Sequence, residues 1–178
     1  LIRKSNADSI ETSRLHLELL CLEVLELLRA QKVEEASRVQ GFEFTREFLA
    51  SINEVFLTRQ LDGLRKRPLT PGWFVRAIIR NADGSVIGHC GFHGAPDDIG
   101  RAEVGYIIYS PYRRCGYATE SVEGLVEWAR SQGSHKVFAT VATSNTASLG
   151  VIRKLGFTRS SAAEESNNRD EYVFQLSL

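Results

Sequence analysis

Apolar residues recur along this chain with two spacings, and the places where the spacing changes divide it into elements. From Arg14 to Leu19 the spacing is two. Leu15, Leu17 and Leu19 fall on one side and His16 and Glu18 on the other, the mark of a half-buried strand. From Glu23 to Val39 it lengthens to that of a helix: Val24, Leu27, Leu28, Val33 and Ala36 make a broken stripe that Gly41 ends. Phe44 to Leu64 predicts a second helix, with Thr45 as N-cap, Glu47 near the place of a capping-box partner, and Phe48, Ile52, Val55, Phe56 and Leu61 as its stripe. Pro68 and Pro71 end it. Trp73 to Arg80 is β-branched and aromatic enough for a strand, and Asn81 to Gly84 is a hairpin turn returning through Ser85 to Phe92. Gly94 to Gly100 is a loop. Glu103 to Tyr109 is the next strand, and Ser110-Pro111 ends it, because proline cannot donate to a ladder.

Helical spacing then returns at Ala118, Val122, Leu125, Val126 and Ala129. Glu120 and Glu123 sit at its start, Arg130 at its end, and Gly133 is placed to terminate it. His135 to Thr143 is a strand, Thr146 to Leu155 a short helix stopped by Gly156, and Phe157 to Ser160 a short strand. Ala162 to Asp170 is a polar hairpin loop, and Glu171 to Leu178 closes the chain with Tyr172, Phe174 and Leu176 on one face. Leu1 to Glu11 is polar and shows no pattern. The order β, α, α, β, β, β, α, β, α, β, β describes an α+β layered protein. Its twisted sheet is mixed but mostly antiparallel, with about seven strands and about four helices. The crossover helix from Ala118 onward makes the strands on either side of it a parallel pair.

Composition narrows the function more than the fold. A chain of 178 residues, 43% hydrophobic, suits one domain spanning 1–178. Twenty-two Lys and Arg residues balance 22 Asp and Glu, which removes any global electrostatic case for nucleic acid or an anionic membrane. Arg65-Lys66-Arg67 is a local basic run of the kind found on solvated loops. Cys21, Cys90 and Cys115 are odd in number and widely spaced, as expected of reduced thiols in a cytoplasmic setting. No apolar run approaches a membrane span, and the N-terminus has no signal-peptide pattern.

The chemistry concentrates where the Glu103 to Tyr109 strand turns into the following helix. A strand, a glycine-containing turn and a helix N-terminus direct unpaired N–H groups and the positive dipole end at one spot, and Arg113 and Arg114 add charge. This is an anion site suited to phosphate. Neither the P-loop pattern nor G-x-G-x-x-G occurs. The residues Arg113-Arg114-Cys115-Gly116-Tyr117-Ala118 instead fit Arg/Gln-x-x-Gly-x-Gly/Ala, which resembles the acetyl-CoA pyrophosphate loop of the GNAT superfamily of N-acetyltransferases. A second motif, Asn145-Thr146-Ala147-Ser148 followed by Arg153-Lys154-Leu155-Gly156-Phe157, resembles the same family's Asn-x-x-Ser and Lys-Leu-Gly-Phe. Glu11-Thr12-Ser13-Arg14 and the strand after it are similar to the opening of the branch that includes ribosomal-protein-alanine N-terminal acetyltransferases. The order of elements matches too, so the resemblance covers nearly the whole chain.

The resemblance implies two strands splayed at a cofactor cleft, with acetyl-CoA as cosubstrate and an amine as acceptor: a protein N-terminus, an amino sugar, a polyamine or a xenobiotic. Transfer would be direct, in a ternary complex. No metal, nucleic acid or membrane is implied, and a homodimer is admitted. Carried over residue by residue, the main chains of Ile107, Ile108 and Tyr109 bind the pantetheine arm. The amides of Cys115, Gly116, Tyr117 and Ala118 hold the pyrophosphate near Arg113 and Arg114, and Asn145 and Ser148 lie on the facing motif. Glu103 is the candidate base, acting directly or through a water; its alternative is a pair with Arg101. The family's tyrosine acid falls at Ile152 here, leaving Ser148 as the candidate acid or as a helix residue bonded to the preceding turn. Arg114 stands where the family often has glycine. His89, Cys90 and His93 suggest a metal, but on a strand Cys90 faces away from both histidines. His93 is also placed to line an acceptor pocket. Cys115 has no adjacent base. The alternative class is a non-catalytic acyl-CoA-binding regulatory domain.

Overall fold

The alternation of Leu15, Leu17 and Leu19 begins a single sheet that runs through the molecule. The computed structural model describes residues 9–160 and 170–178. Its strands are β1 (Ile10–Glu11), β2 (Leu15–Leu19), β3 (Arg76–Arg80), β4 (Val86–Phe92), β5 (Arg101–Ile108), β6 (Lys136–Ala142), β7 (Thr158–Arg159) and β8 (Glu171–Ser177). Its helices are α1 (Leu22–Arg29), α2 (Val33–Gln40), α3 (Arg46–Ser51), α4 (Glu54–Lys66), α5 (Tyr117–Ser131) and α6 (Thr146–Lys154). Single 3₁₀ turns cover Pro71–Trp73 and Ser110–Tyr112. The strand order is β1-β2-β3-β4-β5-β6-β8-β7. Every neighbouring pair is antiparallel except β5 with β6.

Among the described residues there is one strand and there are two helices more than the sequence pattern predicts. The added strand is Ile10–Glu11, which pairs with His16 and Leu17 although its own stretch is too polar to show a period. The added helices come from breaks inside the two predicted ones. Gln31 adopts φ 60°, a left-handed turn that separates α1 from α2. Asn53 is extended and its side chain caps Phe56 N–H at 2.8 Å, so α4 starts afresh after Ile52. Thr45 caps α3 as expected, accepting from Phe48 N–H at 3.1 Å. Trp73, predicted as strand, sits in a 3₁₀ turn because Pro71 opens one. The predicted Ala162 to Asp170 loop lies outside the described residues except for Asp170, whose carbonyl accepts from Thr143 at 2.8 Å.

Helices cover both faces of the sheet. Trp128 of α5 packs with Trp73 and Phe92, and Gly124 lets the helix close on Ile10, Thr12 and Leu17. On the other face Phe48 and Phe56 pack on His89, and the buried Gln60 side chain accepts from Val75 N–H at 3.0 Å. None of the described helices is long and apolar enough to cross a membrane.

The feature that positions the site is the short parallel pair. β5 and β6 pair only at Arg101, Ala102 and Glu103, opposite Lys136, Val137 and Phe138. Beyond that point β5 stays with β4 to Ile108 while β6 stays with β8 to Ala142. The strands part, and the rest of that β5 edge has no strand beside it. Gly88 keeps β4 close to β5, because a Cβ there would stand on the Ile107 carbonyl oxygen. Gly88→Ala is therefore expected to destabilise the protein by about 2 kcal/mol or more, read as a lower denaturant midpoint.

Candidate functional site

The turn after β5 delivers an unpaired helix start. Arg114 takes φ +62° and Gly116 φ +82°, both left-handed. Glycine adopts that conformation freely, whereas a side chain there costs about 1–2 kcal/mol. The arginine at the family's frequent glycine position thus still has a glycine-like backbone. Gly116 is the N-cap of α5 and offers no side-chain cap, and the first helical bond runs from Glu120 N–H to the Gly116 carbonyl at 3.1 Å. The amides of Tyr117, Ala118 and Thr119 therefore lack the upstream carbonyls that would satisfy them in mid-helix.

A residue the sequence reading passed over holds this loop. The Arg14 guanidinium sits 2.6 Å from a Glu120 carboxylate oxygen, donates to the Cys115 carbonyl at 3.1 Å and lies 4.6 Å above the Tyr117 ring. Arg14 N–H and the Thr12 hydroxyl both donate to the other Glu120 oxygen at 2.7 Å. Burial works against charge on Glu120, but the bonds from Thr12 and Arg14 outweigh it and hold the carboxyl below the usual range. The signal was present as Thr12-x-Arg14 ahead of the first long strand. Nothing local tied it to a loop about a hundred residues away.

A cleft of about 940 Å³ opens between this loop and α6. Tyr106, Ile107 and Ile108 line it from β5, with Arg113, Arg114, Gly116, Tyr117 and Ala118 from the loop and helix, and Asn145 and Ser148 from the second motif. The two motifs, well separated in sequence, thus face one space. Asn145 caps α6 by accepting from Ser148 N–H at 3.1 Å, and the Ser148 carbonyl accepts from the Tyr106 hydroxyl at 3.4 Å across the gap. Arg113 turns its Nε–H to the Ile108 carbonyl at 2.8 Å. Tyr109 does not join the cleft lining: its N–H goes to Ile87 and its carbonyl accepts from Tyr112, each at 2.9 Å. Cys115 is exposed, its thiol near the Arg113 carbonyl at 3.4 Å. Ile152 is fully buried and presents no polar atom.

Glu103 lies on the opposite side of β5, towards α3 and α4. Arg101 pairs with Asp97 at 2.9 Å, and the partner of Glu103 is His93, with Nδ1 2.9 Å from Oε2. Burial opposes its charge, but the His93 bond outweighs this, with lesser help from Thr140 and the Arg59 charge, and holds its carboxyl below the usual range. His93, Gly105 and Tyr106 border a second cavity of about 260 Å³ with Phe56, Gln60 and His89. Tyr106 lines both spaces. Cys90 is buried, and burial pushes its thiol up to about 12. It occupies the α5 face of the sheet, opposite Tyr106 in register, and among the described residues no His, Cys, Asp and Glu cluster is arranged to hold a metal. His89 lies 3.3 Å from Ser51 Oγ and 3.5 Å from the Tyr109 hydroxyl; burial lowers its pKa to about 4.

Known proteins resemble this chain in sequence and in fold. A family model described as an acetyltransferase (GNAT) domain matches residues 14–158. The chain is similar to the uncharacterized N-acetyltransferase YjdG of Bacillus subtilis (strain 168), 28% identical over 149 residues that make up 83% of this chain and 88% of that protein. Its fold is similar to that of ribosomal-protein-S5-alanine acetyltransferase from Vibrio fischeri, with TM-score 0.61 and 18% identity over 95% of this chain and 96% of that one. It is also similar to the microcin C7 self-immunity acetyltransferase MccE, solved in complex with acetyl-CoA and AMP, with TM-score 0.62 and 13% identity over 94% of each chain. At such identities both structures speak for the fold alone.

The neutral His89 makes stability depend on pH. The unfolded chain binds a proton below about 6.5 that the folded protein refuses until about 4, so stability is full above pH 6.5 and falls as pH drops through that window. The expected loss is about 3 kcal/mol at most, measurable by denaturant unfolding at pH 7 and pH 5. His89→Gln should flatten the dependence.

Proposed function

Because the chain belongs to the acetyltransferase (GNAT) family, we propose that it moves an acetyl group from acetyl-CoA to a primary amine, on a protein N-terminus or a small molecule, by direct attack in a ternary complex. The observation that supports this most is the cleft itself. The uncapped amides of α5, the open edge of β5 and the Asn145 to Ser148 turn all border one space of about 940 Å³. An anion, an extended arm and a neutral head group need those three kinds of surface in that order.

In this reading the amides of Cys115, Gly116, Tyr117 and Ala118 hold the pyrophosphate, and Arg113 and Arg114 supply charge. Ile108, on the open edge of β5, offers its N–H to the pantetheine arm, its carbonyl being taken by Arg113, whereas the Ile107 carbonyl faces Gly88 of β4 and Ile107 only lines the cleft. Tyr109, whose backbone groups are bonded inside the protein, contributes by packing. Acetyl-CoA supplies the thioester. The protein supplies orientation, donors for the developing oxyanion and a route for the amine proton. Glu103 provides the carboxylate for that route from the face of β5 turned to the smaller cavity, and Ser148, which lines the cofactor cleft, is the candidate donor to the departing thiolate. The buried Ile152, where the family's tyrosine acid would stand, favours the second reading of a non-catalytic acyl-CoA-binding domain.

Free-thiol release from acetyl-CoA with a panel of amines tests the proposal. Binding of acetyl-CoA with no thiol release on any amine would sink the transferase reading in favour of the second. Arg14→Ala should loosen the loop and weaken acetyl-CoA binding about tenfold, or roughly 1.4 kcal/mol, as read by titration calorimetry. Glu103→Gln should lower kcat by at least about tenfold, most at the acidic end of the pH profile, where deprotonating the amine limits turnover. An unchanged profile would remove Glu103 from the proton route.

A further inference from the structure

Resting on the transferase reading, we propose that His93 is the group that takes the proton from the attacking amine, and that Glu103 is the residue that positions it. His93 follows β4 directly, and its backbone N–H donates to the Glu103 carbonyl at 2.9 Å. Its side chain is tied to the same residue, with Nδ1 2.9 Å from the carboxylate. One residue thus anchors both the backbone and the ring of His93. A carboxylate accepts only, so in the neutral imidazole the Nδ1 facing it carries the hydrogen and Nε2 keeps the lone pair.

Gly105 settles where that lone pair lies. A Cβ on Gly105 would stand 2.7 Å from His93 Nε2, so the imidazole occupies the space a side chain at 105 would fill. Nε2 therefore lies against β5 two residues along the same face from Glu103. It sits at the wall of the smaller cavity, beside Tyr106, which also lines the cofactor cleft. An amine held in that cavity would lie against the imidazole, with Tyr106 common to the linings of both spaces. Glu103, by contrast, is committed to His93, with its side chain 25% exposed against 36% for His93. The charged and titratable groups around the pair are Tyr106 of β5, His89 and Cys90 of β4 at the cavity, and Arg59 of α4, whose charge reaches Glu103.

The step balances without any further reactant. The amine lone pair forms the C–N bond to the thioester carbon, and the C–S bond breaks with its electron pair going to sulfur. The N–H proton passes to Nε2 of His93, which releases it to solvent as the thiolate takes one up.

The test compares wild type, His93→Ala, His93→Gln and Glu103→Gln for kcat across pH, acetyl-CoA affinity and melting temperature. The expected result is that both His93 variants keep acetyl-CoA affinity and melting temperature and lose about a hundredfold in kcat. Added imidazole should restore turnover to His93→Ala. His93→Ala turning over at the wild-type rate and pH profile overturns the proposal, as does a loss that imidazole leaves untouched. A wild-type protein that releases no thiol with any amine overturns the transferase reading itself, and this inference with it.

Discussion

The molecule's site depends on a failure to pair. Two parallel strands that kept their register to the end would bury every main-chain group between them and leave no cleft. Here β5 and β6 share three residue pairs and then follow different neighbours, β4 and β8. A strand edge in mid-sheet ordinarily finds a partner, because unpaired amides and carbonyls away from water are costly. This edge instead opens onto a cleft roomy enough for a ligand to supply the missing partners. The adjoining helix start has the same property: α5 begins on a glycine with no side-chain cap. A strand edge with no neighbouring strand and an uncapped helix start thus border one cleft.

Holding such a loop open takes support from elsewhere, and the support comes from the start of the described chain. Arg14 and Thr12 meet Glu120 one turn into α5, and Arg14 reaches on to the Cys115 carbonyl. Charge-assisted bonds of this kind are stronger than neutral ones and fix geometry as well. The left-handed turn at Arg114, costly for an arginine, is kept within the same framework. The other face of β5 has its own arrangement. There Gly105 clears a place for the His93 ring, and Glu103 fixes that ring. One strand therefore serves both halves of the proposed reaction. Tyr106, Ile107 and Ile108 border the cofactor cleft, and Glu103 and Gly105 face the proposed acceptor side.

Much of this was legible beforehand, for local reasons. The strand at Leu15 to Leu19, the Ala118 to Ala129 stripe and the terminating glycines are properties of a few neighbouring residues, so they survive folding, although His16 on the outer side of that strand is buried as well. Thr45 capped its helix as its chemistry demands. The misplaced features have non-local causes. No residue between Glu23 and Val39 announces the left-handed Gln31, and the break at Asn53 was hidden beneath a continuous apolar stripe. Arg101 looked like the natural partner of Glu103 because it is two residues away. On a strand, that spacing only sets the two side by side on one face, and Arg101 found Asp97 in the preceding loop.

The sequence by itself determined the family and most of the order of elements, because these rest on composition, period and short motifs, and it marked the loop proposed to hold an anion. The tertiary structure alone decided how far β5 and β6 pair, that Arg14 guards the loop and that Glu103 belongs to His93. Each of these joins residues from separate elements, between about ten and more than a hundred positions apart. Contacts at such distances are chosen by which side chains the packed sheet brings within hydrogen-bond reach, and no local pattern encodes that choice.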